Sequence, residues 1–97
     1  MTKINRLLSI MCNDAGEVFV NADTAGLDFL IDRLNWIREK VQQGICEHDH
    51  FMTDAWGGGE LSESIGCEKG GTTIVHHLKV CGWTEEWVVK NGFKASS

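Results

Sequence analysis

The sequence predicts an α+β domain, an antiparallel sheet of four to five strands with one long helix packed on one face. Three observations carry this. Only residues 24–43 hold helical periodicity over several turns; the segments around them are short, and alternating or β-branched; and one apolar helix stripe needs a sheet to cover it. The order is ββαβββ plus a C-terminal turn or short helix. At 97 residues with 42% hydrophobic residues, the chain is a single domain, 1–97. A chain of this size buries roughly 65% of its unfolded surface, enough for one modest core without disulfides.

Lys3 to Met11 alternates weakly, and Glu17-Val18-Phe19-Val20-Asn21 is rich in strand formers. Asn13-Asp14-Ala15-Gly16 between them is a turn cluster, so the pair reads as a hairpin. Asp23 and Thr24 then offer N-cap side chains, with Asp28 expected in the first turn. Leu27, Leu30, Ile31, Leu34, Ile37 and Val41 recur at helical spacing, and Gly44 stands where a helix C′ glycine belongs. Such a helix would be about 30 Å long.

Ile45 to Met52 reads as a third strand, Thr53 to Gly59 as a loop ending in three glycines, and Glu60 to Ile65 as a short strand. Gly66 to Gly71 is a turn, and Thr72 to Cys81 is a strand because β-branched residues dominate its start. Trp83 to Lys90 is ambiguous, since Thr84-Glu85-Glu86 looks like a helix start and Trp87-Val88-Val89 like a strand.

Charge narrows the function classes. The net charge is −5, and residues 44–68 hold six acids without a Lys or Arg. A nucleic acid or anionic membrane would be repelled there, whereas a cation or basic protein surface would be attracted. The bland reading is that these acids only solubilise a loop-rich region. No apolar run approaches the roughly 18 residues of a membrane span. The N-terminal stretch lacks the apolar length and cleavage site of a signal peptide, so a cytosolic protein is expected, with four unpaired cysteines.

Three constellations could carry chemistry. Cys46, His48 and His50 alternate and share one strand face, where His76 or His77 could complete a zinc site. The paired CxxC or HxxxH spacings of zinc sites are absent, and the bland reading makes the cysteines small buried hydrophobes and pairs the histidines with acids. Glu47, His48, Asp49 and His50 could form an acid/base pair, with Thr53, Ser62 and Ser64 as hydroxyl nucleophiles. No nucleophile elbow, phosphate loop or HExxH pattern supports this. Trp56-Gly57-Gly58-Gly59-Glu60-Leu61 places a hot-spot residue beside three glycines and near Asp54, Glu60 and Glu63. Either Trp56 anchors a cationic partner, or it folds back over the sheet as a core plug. Trp83 and Trp87 are expected to share a packed face, and an exposed Trp36 would point to an interface, including a homodimer.

His48-Asp49-His50-Phe51-Met52-Thr53, then Trp56-Gly57-Gly58, Glu60-Leu61-Ser62 and His77-Leu78-Lys79-Val80 resemble the immunity protein 32 family of bacterial polymorphic toxin systems. The resemblance spans about residues 17–80 and rests on His48, His50, Trp56, Gly57, Gly58, Glu60, Leu61, His77 and Lys79. It implies a small cytosolic protein that binds and neutralises a cognate toxin. A nuclease toxin, usually basic at its substrate face, would meet the acidic segment favourably.

The expected contacts are Asp49, Asp54, Trp56, Gly57, Gly58, Glu60 and Glu63. No catalytic residue and no cofactor are expected. The alternatives are a zinc-binding protein or metalloenzyme using His48, His50 and His77, and a homodimeric regulatory domain that binds a host protein.

Overall fold

A computed structural model describes residues 6–63 and 71–95. The first hairpin pairs β1 (Leu8–Asn13) with β2 (Val18–Ala22) antiparallel, from Leu8 opposite Ala22 to Cys12 opposite Val18. Asn13 makes the turn. Its Oδ1 accepts from the N–H groups of Ala15 at 3.1 Å and Glu17 at 3.0 Å, and Gly16 supplies φ +87°.

Asp23 caps α1 (Thr24–Gln42), accepting at one oxygen from the N–H of Gly26 at 2.8 Å and of Leu7 at 2.9 Å. One carboxylate thus holds the helix start against the approach to β1, and these hydrogen bonds hold its pKa below the ordinary value. Asp28 lies beyond the first turn, which contains no acid, so it gains little from the helix dipole. At the other end Gly44 takes φ +86°. Its N–H donates to Val41 O at 2.9 Å, and Ile45 N–H donates to Lys40 O at 3.0 Å, a Schellman closure.

The strands divide into two narrow antiparallel sheets, not one. β1 sits between β2 and β4 (Thr72–Ile74), while β3 (Glu47–Met52) pairs only with β5 (His77–Gly82). The expected continuous strand 72–81 breaks at Val75 and His76 because the chain changes partners there. Val75 N–H donates to Ile10 O at 2.8 Å in one sheet, and His76 O accepts from Thr53 N–H at 3.0 Å beside the other. The expected strand 60–65 reduces, in its described part, to a single parallel bridge between Thr53 and Leu61. Ser64, Ile65 and the expected turn 66–70 lie outside the described residues. The ambiguous C-terminal segment is a helix, α2 (Glu85–Lys90), because Thr84 Oγ1 accepts from Trp87 N–H at 3.2 Å and caps it.

Leu8, Ile10, Phe51 and Leu61 form the buried centre, joined by Phe29, Leu30, Val75, Leu78 and Val80. The apolar stripe of α1 is only partly covered. Ile37 is buried, and Ile37 and Val41 press on the Gly82 backbone so closely that a Cβ there would meet their methyl groups at 2.4 and 2.8 Å. Leu27, Ile31 and Leu34 remain exposed, since two narrow sheets reach only one edge of the stripe. Trp36 is half-buried, with the charged ends of Arg33 and Lys40 5.2 and 5.9 Å from its ring. Among the described residues no helix is long and apolar enough to cross a membrane.

Candidate functional site

Alternation along β3 sorts its side chains. Phe51 enters the core, and Asp49 turns to the same face and accepts from Arg33 Nε at 2.5 Å. That hydrogen bond raises the Arg33 pKa above its ordinary value and ties Asp49 to α1. Asp49 therefore serves an internal pair, not an open contact surface.

His48 and His50 occupy the opposite, exposed face of β3, next to His77 and Lys79 of β5. His50 Nδ1 and His77 Nε2 are 2.8 Å apart in one hydrogen bond, and the rings of His48 and His50 meet edge to face at 4.9 Å. Burial, followed by His48, His77 and Lys79, pushes the His50 pKa down. The two bonded nitrogens are closer than the roughly 3.3 Å expected between ligands of a tetrahedral zinc. Among the described residues no group of three or more His, Cys, Asp or Glu could hold a metal ion. In this arrangement His50 and His77 bond to each other, and His48, His50 and His77 are not set as a ligand group. The cysteines depart from the buried expectation too: Cys46 and Cys81 are exposed, and Cys46 Sγ accepts from Thr84 N–H at 3.5 Å. Cys67 lies outside the described residues.

The Trp-Gly-Gly-Gly loop is a constructed turn. Thr53 is fully buried, and its carbonyl accepts from the N–H groups of Trp56 and Gly58, both at 3.0 Å. This closes a 3₁₀ turn over Asp54–Trp56, completed by Gly57 N–H to Asp54 O at 3.0 Å. The Thr53 hydroxyl is 2.7 Å from His76 Nδ1, and the His76 ring lies parallel to Trp56, with centroids 5.4 Å apart and 2° between planes. Thr53 thus fixes His76, and His76 supports Trp56.

Trp56 is nevertheless 58% exposed, so it is not a core plug. The three glycines do different work. Gly57 takes φ +88°; Gly58 approaches so closely that a Cβ would meet Met52 O at 2.6 Å; Gly59 faces open space.

The nearby acids also separate by role. Glu60 Oε1 accepts from Met52 N–H at 3.0 Å, and Leu61 beside it is buried, so this part of the loop is structural. Asp54 and Glu63 are exposed at the turn, Glu63 accepting from Ala55 N–H at 3.4 Å. Of the expected contacts, Asp54, Trp56, Gly57 and Glu63 form one exposed feature. Gly58 and Glu60 shape it from behind, and Asp49 belongs elsewhere. Among the expected nucleophiles, Thr53 is enclosed, Ser62 Oγ accepts from Leu8 N–H at 3.1 Å, and Ser64 lies outside the described residues.

No protein-family profile, curated protein or solved structure matches the chain. The candidate site stands on its own geometry. Sequence reasoning missed the support beneath Trp56: Thr53 and His76 are 23 positions apart, and only the corner between β4 and β5 brings them together.

Proposed function

We propose that this chain is a toxin-neutralising immunity protein, acting in the cytosol by binding a cognate bacterial toxin and occluding it. The observation that carries the reading is the exposed, pre-positioned indole of Trp56, with Asp54 and Glu63 beside it. Rigid aromatic anchors lose little entropy on binding and dominate interface energies. The acids favour a partner with a basic surface, such as a nuclease's substrate face, and speed its approach. The resemblance of the His48 to Lys79 motifs to the immunity protein 32 family supports the same reading. Binding by occlusion asks for no catalytic group and no cofactor.

A co-expression assay tests it. A toxin domain encoded beside this gene is induced in a sensitive host, with and without this protein. Survival only in its presence is expected. Unchanged killing, with both proteins soluble and expressed, rejects the pairing. For a captured toxin, the double variant Asp54→Asn/Glu63→Gln should associate about tenfold more slowly at low ionic strength. The difference should shrink as salt rises.

A further inference from the structure

A cavity of about 320 Å³ lies among α1, β3 and the segment at Glu60, and its lining includes Arg6, Phe29, Arg33, Asp49, Phe51 and Glu60. Most of its polar groups are already used. Arg33 Nε donates to Asp49, and Glu60 Oε1 accepts from Met52 N–H. Arg6 is different. Its guanidinium carbon stands 3.9 Å over the Phe29 ring, and its Nε is buried without a hydrogen-bond partner among the described residues. A charged donor enclosed without an acceptor weakens a fold, and folded proteins rarely keep one. An acceptor arriving from outside gives it a purpose.

The lining also selects the acceptor. Two guanidiniums, two carboxylates and His50 line it, so the walls are neutral overall while His50 is uncharged. A dianion gains little net attraction there, whereas one carboxylate matches one unpaired guanidinium and its planar fork. Phe29, set edge to face against the fully buried Phe51 at 6.0 Å, supplies the apolar surface for the rest of the ligand. The volume is at the small end of ligand sites, which run from about 300 Å³.

We infer that this cavity binds a compact monocarboxylate, with Arg6 holding the carboxylate and Phe29 the apolar body. The inference does not rest on toxin binding. The same chemistry could come from a free acid or from the C-terminal carboxylate of a peptide, and the test separates the two. The full chain is titrated with benzoate, with an acetylated dipeptide ending in Phe, and with the amide of each. The Arg6 Nε–H resonance and the thermal midpoint are followed.

A saturable shift with one or both acids and none with the amides is expected, and the acid that responds identifies the source. Arg6→Met should abolish the response while melting no lower than the unaltered protein, because it removes an unsatisfied donor. Glu60→Gln, which keeps the oxygen that accepts from Met52, should bind about fivefold tighter through loss of a negative charge. No saturable response to either acid at tens of millimolar overturns the inference. So does an equal response to acid and amide, or an undiminished response in Arg6→Met.

Discussion

A tryptophan that is largely exposed and yet held in place separates stability from binding. Trp56 stacks against the parallel His76 ring. Aromatic pairs of this kind contribute about 0.5–1.5 kcal/mol beyond burial. Trp56→Ala should therefore cost roughly 1 kcal/mol in a denaturant titration, far below the roughly 3–5 kcal/mol of a lost core aromatic. In the survival assay the same change should remove most protection, because the indole is the proposed anchor. A loss above about 3 kcal/mol with protection retained would return Trp56 to the core. The three adjacent glycines give a sharper contrast. Gly59→Ala adds a methyl to open space and should be nearly neutral. Gly58→Ala drives a Cβ into the Met52 backbone and should destabilise by about 1–3 kcal/mol. Both are measured by thermal or denaturant unfolding. In the sequence the three are alike; the left-handed φ of Gly57 and the close approach of Gly58 to β3 distinguish them.

Elements with local signals were legible, and elements defined by distant partners were not. The helix announced itself through Asp23, its apolar spacing and Gly44, all within one segment, and the structure uses both ends and part of the stripe. The first hairpin likewise follows from Asn13 and Gly16. The break in the expected strand 72–81 had no such signal, because β-branched residues suit either sheet. The division is made by Ile10 and Thr53, far back in the chain. Exposure of Leu27, Ile31 and Leu34 was hidden for the same reason: periodicity shows which residues share a stripe, not how much sheet lies beneath. The helix start also holds a constraint that periodicity cannot show. A Cβ on Gly26 would meet Leu7 O at 1.8 Å. By intrinsic propensity Gly26→Ala should favour the helix by about 1 kcal/mol. The contact outweighs this, because a backbone carbonyl cannot turn aside as a side chain can. A net loss of about 1–3 kcal/mol in unfolding free energy is expected. A gain would mean that α1 does not seat on the approach to β1 as described.

Over the whole molecule, acid should loosen the fold in two separate windows. The core is small, with six buried apolar side chains among the described residues, so modest polar contributions weigh on overall stability. His50 has its pKa lowered by burial and by His48, His77 and Lys79, so the unfolded chain binds a proton there more readily than the folded one. Stability at this site is therefore whole above about pH 6.5, the ordinary histidine value, and declines as pH falls toward the lower folded value. Asp23 is also lowered, by the N–H groups of Leu7 and Gly26, but as an acid it titrates later. Its contribution is present above about pH 3.9 and is lost as pH falls through the lower folded value. At neutral pH ionised Asp23 favours the folded state and uncharged His50 carries no penalty, so both effects add on acidification. Urea midpoints between about pH 7 and 3 should show a first decline near pH 6 and a second below pH 4. His50→Gln should flatten the first and leave the second, whereas Asp23→Asn should do the reverse. Midpoints that stay level down to pH 4 would show that His50 carries no penalty for charge in the folded state.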